Sequence, residues 1–141
     1  MINPRVSLNR RIVELADPGV PVLTEPSQAW QDPCYRIEWM DAMLPRGAGL
    51  WARNVRIHVR GSQGTFALEA RLQRLLNGLG LKTRGSVAPV PLYDYASNPT
   101  TPAQAGVFAV ERSPRGVSII PPPDGSPDLR HLVLNLTIVH S

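Results

Sequence analysis

The amino-acid sequence predicts an α+β domain, a mainly antiparallel β-sheet with a long hairpin, covered on one face by two helices. Three observations carry this. Tyr35, Ile37 and Trp39, then Trp51, Val55, Ile57 and Val59, alternate with polar residues on either side of Leu44-Pro45-Arg46-Gly47-Ala48-Gly49, the pattern of an antiparallel hairpin. Directly afterwards Leu68, Leu72, Leu75, Leu76 and Leu79 fall within one arc of a helical wheel. Fifteen prolines and eleven glycines among 141 residues favour many turns and argue against a helical bundle.

The elements follow in order along one domain, 1–141. Asn3 and Pro4 suit the start of a helix over 4–16, because Pro4 has no amide to leave unsatisfied, and Leu8, Ile12, Leu15 and Ala16 recur at helical spacing. Asp17-Pro18-Gly19 stops it. Pro21, Pro26 and Pro33 make 20–33 an extended connection with at most a short edge strand around Val22 and Leu23. The hairpin spans 35–60. Ser62 or Thr65 caps a helix over 65–79, and Gly78 and Gly80 end it. Val87 to Tyr95 is apolar, but Pro89 and Pro91 confine it to a sheet edge or an extended arm, and Ser97 to Ala105 reads as a loop. Within 107–120, two strands, Val107–Arg112 and Gly116–Ile120, flank a tight turn at Ser113-Pro114-Arg115-Gly116. Pro121 to Asp128 is a proline-rich loop, and Leu132, Leu134, Leu136 and Ile138 mark a last strand over 131–140.

Composition narrows the function classes. Hydrophobic residues make up 43% and charged residues 18%, as in a globular domain able to bury a core, and unlike a collagen, a coiled coil or a disulfide scaffold. Fifteen cations against eleven anions give a net charge of +4, and every cation except Lys82 is arginine. Arg10-Arg11 is the one adjacent pair, and the others are scattered, unlike the clustered patch of a nucleic-acid binder. Arginine equally suits planar pairing with carboxylates at subunit interfaces. No stretch approaches the roughly 20 apolar residues of a membrane span, and the start, MINPRVSL, lacks a signal-peptide core.

The chain carries no recognisable catalytic signature. His58, His131 and His140 lie in no HExxH or HxH arrangement, so neither a metal nor another cofactor is expected. His58 falls on the polar face of its strand, as a solvated or interface histidine, and His140 at a frayed end. Cys34 has no neighbouring histidine and reads as a structural thiol. Arg60-Gly61-Ser62-Gln63-Gly64-Thr65 has spaced glycines but neither the Walker lysine nor GxGxxG spacing. Glu14, Glu38, Glu69 and Glu111 sit on four separate elements, which is no acid–base pair. The reading is therefore a non-enzyme that works through contacts. Trp39 and Trp51 belong to the hairpin's core, and Trp30, in the proline-rich connection, is the contact candidate. The other interface candidates are the cationic strand face of Arg53, Arg56 and Arg60 and the acidic Glu38, Asp41, Glu69 and Glu111. Arg56 and Arg60 alternate with core residues and so should point away from the helix-covered face.

The helix Leu8 to Ala16, the strand Arg53-Asn54-Val55-Arg56-Ile57-His58-Val59-Arg60, the run Thr65 to Leu76 and the closing strand His131 to His140 together resemble the tail terminator (tail completion) proteins of long-tailed bacteriophages and related gene transfer agents. The resemblance is one of pattern and size over most of the chain. It implies a structural virion protein without cofactor: a homohexameric ring at the tail–neck junction, assembled in the host cytoplasm, that caps the tail tube, stops its polymerisation and offers the docking surface for head–tail joining. Its implied partners are further copies of itself, the tail tube protein and the head–tail connector protein. No membrane is involved, and DNA only passes through the lumen. A neck or connector subunit is the neighbouring reading. A small α+β enzyme or nucleic-acid-binding module is the alternative from another class.

Overall fold

The computed structural model describes residues 2–62, 64–120 and 130–141. Their order is α1 (Arg5–Leu15), β1 (Val22–Leu23), β2 (Cys34–Gly47), β3 (Leu50–Gly61), α2 (Thr65–Leu79), β4 (Val87–Asp94), β5 (Ala103–Ile120) and β6 (Arg130–His140). The fold is α+β, with six strands among the described residues in the order β1-β2-β3-β6-β5-β4. The sheet is mixed rather than purely antiparallel: β1 runs parallel to β2 through Val22↔Tyr35 and Leu23↔Arg36, while the other neighbours are antiparallel. The parallel pair arises because 24–33 carries the chain back past β2 before it enters the sheet, a crossover that alternation within strands does not reveal.

Burial explains the layering. Leu8 and Ile12 of α1 and Leu68, Leu72, Leu75, Leu76 and Leu79 of α2 share one core with Val55, Ile57 and Val59 of β3 and Leu132, Leu134, Leu136 and Ile138 of β6. α2 lies over β3 and β6, and α1 touches both α2 and β4. Each helix is tied by specific polar contacts. The Tyr93 amide donates to Ser7 Oγ at 3.0 Å, and Trp39 Nε1 donates to Asn9 Oδ1 at 2.9 Å. Asp17, just past α1, accepts from Arg71 Nε at 3.0 Å and also pairs with Arg74, which joins the end of one helix to the flank of the other.

Several expectations need correction. α1 starts at Arg5 with Pro4, not Asn3, at its N-cap and no side-chain cap bond, although Asn3 Oδ1 accepts from the Arg5 amide at 3.0 Å. The N-cap of α2, however, is Gly64, with no side-chain cap bond. Gly80 ends α2 in the left-handed region at φ 78°, but Gly78 lies inside the helix. A Cβ there would stand 2.4 Å from Leu15 Cδ2, so the absence of a side chain at Gly78 makes room for Leu15 of α1. The expected loop-and-turn over 97–116 is shorter than read: one strand, β5, begins at Ala103 and continues to Ile120. Its pairing with β6 jumps from Arg112↔Leu136 to Val117↔Leu134, so Ser113 to Gly116 form a bulge in a continuous strand instead of a hairpin turn. The turn of the long hairpin shrinks to Ala48 and Gly49, both at positive φ (52° and 76°), the geometry that matches strand twist. The proline-rich loop 121–128 lies outside the described residues. β4, with Pro89 and Pro91, is an edge strand as read.

Leu75 is fully buried at the centre of this core. Leu75→Ala should lower unfolding stability by about 2–5 kcal/mol, from lost apolar burial plus the cavity left behind. Denaturant melts of the two proteins check this, and equal midpoints would contradict the helix-on-sheet packing.

Candidate functional site

The strand alternation that sends Val55, Ile57 and Val59 into the core turns Arg56, His58 and Arg60 onto the opposite, outer face of the sheet. Glu38 and Arg36 of β2 face the same way, opposite Arg56 and His58 respectively. β6 contributes His131, opposite Arg60, and Val133, opposite His58.

The connection 24–33 crosses one end of this face as a strap. Gln28 Oε1 accepts from the amides of Thr24 and Glu25, both at 2.9 Å, which fixes the strap's own turn. The Arg36 guanidinium donates to the carbonyls of Pro26 and Gln28, and the Ser62 amide donates to Asp32 Oδ1 at 2.9 Å. So held, Trp30 lies edge-on to His58 and His131, with ring centroids 5.4 and 5.1 Å away. The Arg36 and Arg60 guanidinium carbons stand 4.2 and 5.2 Å from its ring centre. These cation–π contacts keep two like charges beside one another without a carboxylate between them.

Beneath Trp30 the polar groups form a chain. His58 Nε2 lies 3.1 Å from Glu38 Oε1, and His58 Nδ1 lies 2.8 Å from His131 Nε2. With Glu38 ionised, one assignment satisfies both bonds with neutral rings: His58 donates from Nε2 to the carboxylate, and His131 donates from Nε2 to His58 Nδ1. Both histidines are 7% exposed. Burial lowers the His131 pKa to about 4, with further contributions from His58 and Arg60. His58 is also lowered by burial, partly offset by Glu38. Among the described residues no group of three His, Cys, Asp or Glu side chains is arranged to hold a metal ion.

The opposite end of the outer face is bounded by the hairpin tip. β3 and β6 stand between β2 and β5, yet one Arg46 guanidinium nitrogen donates to both carboxylate oxygens of Glu111 at 2.9 and 3.0 Å. The tip therefore closes over the sheet. Between strap and tip runs an open trough of mixed character, lined by Met40, Ile120 and Val133 as well as Asn54, Arg56 and His58.

The sequence-predicted residues divide accordingly. Trp30, Glu38, Arg56 and Arg60 come together at the strap end. Trp30 is 40% exposed, but it docks on its own chain's histidines instead of standing free. Arg53 leaves the group: it pairs with core-facing Ile138, stands 5.1 Å from the Trp39 ring centre and donates to the Met40 carbonyl at 3.4 Å. Odd and even positions of a strand point to opposite faces, so Arg53 could not share a face with Arg56 and Arg60. Asp41 is exposed in the hairpin arm, Glu69 is exposed on α2, and Glu111 is engaged by Arg46. His58 is buried and not solvated, and His140 is buried in β6 and not frayed. Trp39 is a core residue, Trp51 only half-buried, and Cys34 a buried thiol whose pKa burial raises.

No protein-family model matches the chain, and no curated protein is significantly similar to it. The outer face must therefore be interpreted from its own chemistry. His58 engages Glu38 and His131 through its two ring nitrogens, Trp30 packs over the pair, and the free side of His58 borders the trough. The exposed parts of the face are the trough and the hairpin tip, both suited to macromolecular contact.

The Arg46–Glu111 pair is partly exposed, where such pairs contribute about 0–1 kcal/mol. Arg46→Ala should therefore leave the melting temperature nearly unchanged and loosen the tip. Backbone ¹⁵N relaxation across 43–49 checks this: order parameters should fall there and stay constant in β3 and β6.

Proposed function

We propose that the protein is a structural ring subunit of a long phage-type tail, one that caps the tail tube, stops its polymerisation and presents a docking surface to the head connector. The observation that carries this reading is the hairpin arm. Ten consecutive residues, Asp41 to Leu50, are exposed, including the apolar Met43, Leu44 and Leu50. The arm adds nothing to its own core, yet its tip is braced by Arg46 against Glu111. A braced, apolar-tipped projection is what a subunit needs to grip a neighbour, since contiguous exposed apolar surface marks contact sites.

A closed ring needs heterologous contacts, with two different complementary patches on every subunit. Suitable patches exist on separate parts of the surface. Arg56 is half-exposed on the outer face and bound only loosely to Glu38, at 3.9 Å. Asp41 on the arm and Glu69 on α2 are exposed carboxylates on other elements. Arginine suits the cationic partner because its planar guanidinium pairs bidentately with carboxylates. A lumen lined by these arginines would retain passing DNA through phosphate contacts, so they belong at subunit or tube contacts.

Sedimentation of the purified protein, alone and with tail tubes, should show a discrete assembly of six copies. Reversing charge at Arg56 and Arg60 together, or replacing Met43 and Leu44 with serine, should leave the monomer folded and block that assembly. Monomers under both conditions would overturn the ring. Deleting the gene separates terminator from connector: tails of uncontrolled length support the terminator, whereas tails of normal length that fail to join heads assign the neck.

A further inference from the structure

The strap over the histidine pair has the construction of a switch. Its polar anchors lie at its two ends: the Thr24 carbonyl held by Arg5 at 3.5 Å, the Pro26 and Gln28 carbonyls held by Arg36, the Gln31 backbone bonded to Cys34, and the Ser62 amide on Asp32. Its centre, Trp30, rests on the rings of His58 and His131 and is flanked by the Arg36 and Arg60 guanidinium groups. The hydrogen bond between those two rings is satisfied only while at least one of the facing nitrogens lacks a proton. A single added proton is tolerated, because His58 can then donate from both nitrogens, to Glu38 and to a His131 that has shifted its own hydrogen to Nδ1. A second proton sets two N–H donors against each other across 2.8 Å.

The surroundings sharpen this. The charged groups facing the pair are Arg36 and Glu38 from β2 and Arg56 and Arg60 from β3, with the uncharged Ser118 and Ile120 on the flanking β5. The strap adds Trp30, which carries no charge, and Asp32, already committed to the Ser62 amide. Among the described residues, three guanidinium groups and one carboxylate face the pair, so a second imidazolium meets net positive charge.

We propose that 24–33 is a pH-released cover, which holds Trp30 over the His58–His131 pair at neutral pH and lets go when both rings carry a proton, baring the outer sheet face. The covered form binds protons more weakly than the open form, so acidification favours opening. Its contribution to closure is complete above the ordinary imidazole value of 6.5 and is lost as pH falls towards about 4, where His131 titrates in the covered form. If lifting the strap returns His131 to 6.5, the closing equilibrium weakens by roughly 100-fold between about pH 7 and about pH 4, and by less to the extent that His58 and Arg60, which stay on the sheet, hold the shift. His58, shifted in the same direction, adds to this. Nothing in this device depends on ring assembly.

The test is an NMR titration of the three tryptophan indole N–H resonances from about pH 7.5 to about pH 4, with the Trp30 signal assigned through Trp30→Phe. The Trp30 resonance should shift to a solvent-exposed position while that of Trp39, bonded to Asn9 in the core, stays in place. In His131→Gln, which keeps a donor but cannot gain a charge, the Trp30 transition should disappear. A Trp30 signal that never moves, that moves together with Trp39, or that moves equally in His131→Gln would overturn the proposal. Should that variant fail to fold, Trp30→Ala provides the check in reverse. Without the cover, the His131 ring should titrate close to 6.5, and a ring still titrating near 4 would assign its suppression to the sheet and not to the strap.

Discussion

Strand β3 is the element on which both faces of this molecule depend. It lies between β2 and β6 in the interior of the sheet, and its side chains alternate between two environments of opposite character. Val55, Ile57 and Val59, all fully buried, form the floor on which α2 packs. Arg56, His58 and Arg60 build the polar outer face with their neighbours from β2 and β6. A one-residue slip of β3 would put three charged or polar side chains into the core and three valines or isoleucines into solvent, so the two faces hold the register together. The antiparallel pairing of β3 with β6 runs unbroken from Trp51↔His140 to Gly61↔Arg130.

The outer face pays a recognisable cost for burying two histidines. Neutral imidazoles lose hydration when covered, and that loss is repaid through a continuous hydrogen-bonded chain from Glu38 through His58 to His131, capped by Trp30. The stacked arginines are part of the same solution. Arg36 is at once an anchor for the strap and a lid on Trp30, so one side chain couples the strap's backbone to the ring it carries. Trp30, the contact candidate by composition, is thus packed on its own chain on one side and 40% exposed on the other.

The hairpin arm follows a different logic. The pairing of β2 and β3 slips between Trp39 and Met43 and again between Pro45 and Gly47, and such bulges increase local twist. Extra twist aims the arm away from the plane of the sheet and lets Arg46 reach Glu111 beyond two intervening strands. Met43, Leu44 and Leu50 on that arm are exposed and lie outside the core. Their placement on a braced projection is the basis for reading the protein as an assembly subunit.

Local sequence pattern determined the α+β class, the leucine face of α2, the hairpin, the edge position of β4 and the last strand, because each rests on periodicity within a short window. It also determined that Arg56 and Arg60 face away from the helices, since strand alternation has a period of two. The same rule, applied to Arg53, already excludes it from that face. What tertiary structure alone decided concerns residues far apart in the chain. His58 and His131 are 73 positions apart, and only the β3–β6 register brings their rings together. The parallel β1, the docking of Trp30 and the Arg46–Glu111 brace likewise depend on where the chain returns, which no local pattern encodes. Gly78 shows the same division within a single residue. Its sequence context reads as a helix stop, whereas the approach of Leu15 from another helix makes it a packing site.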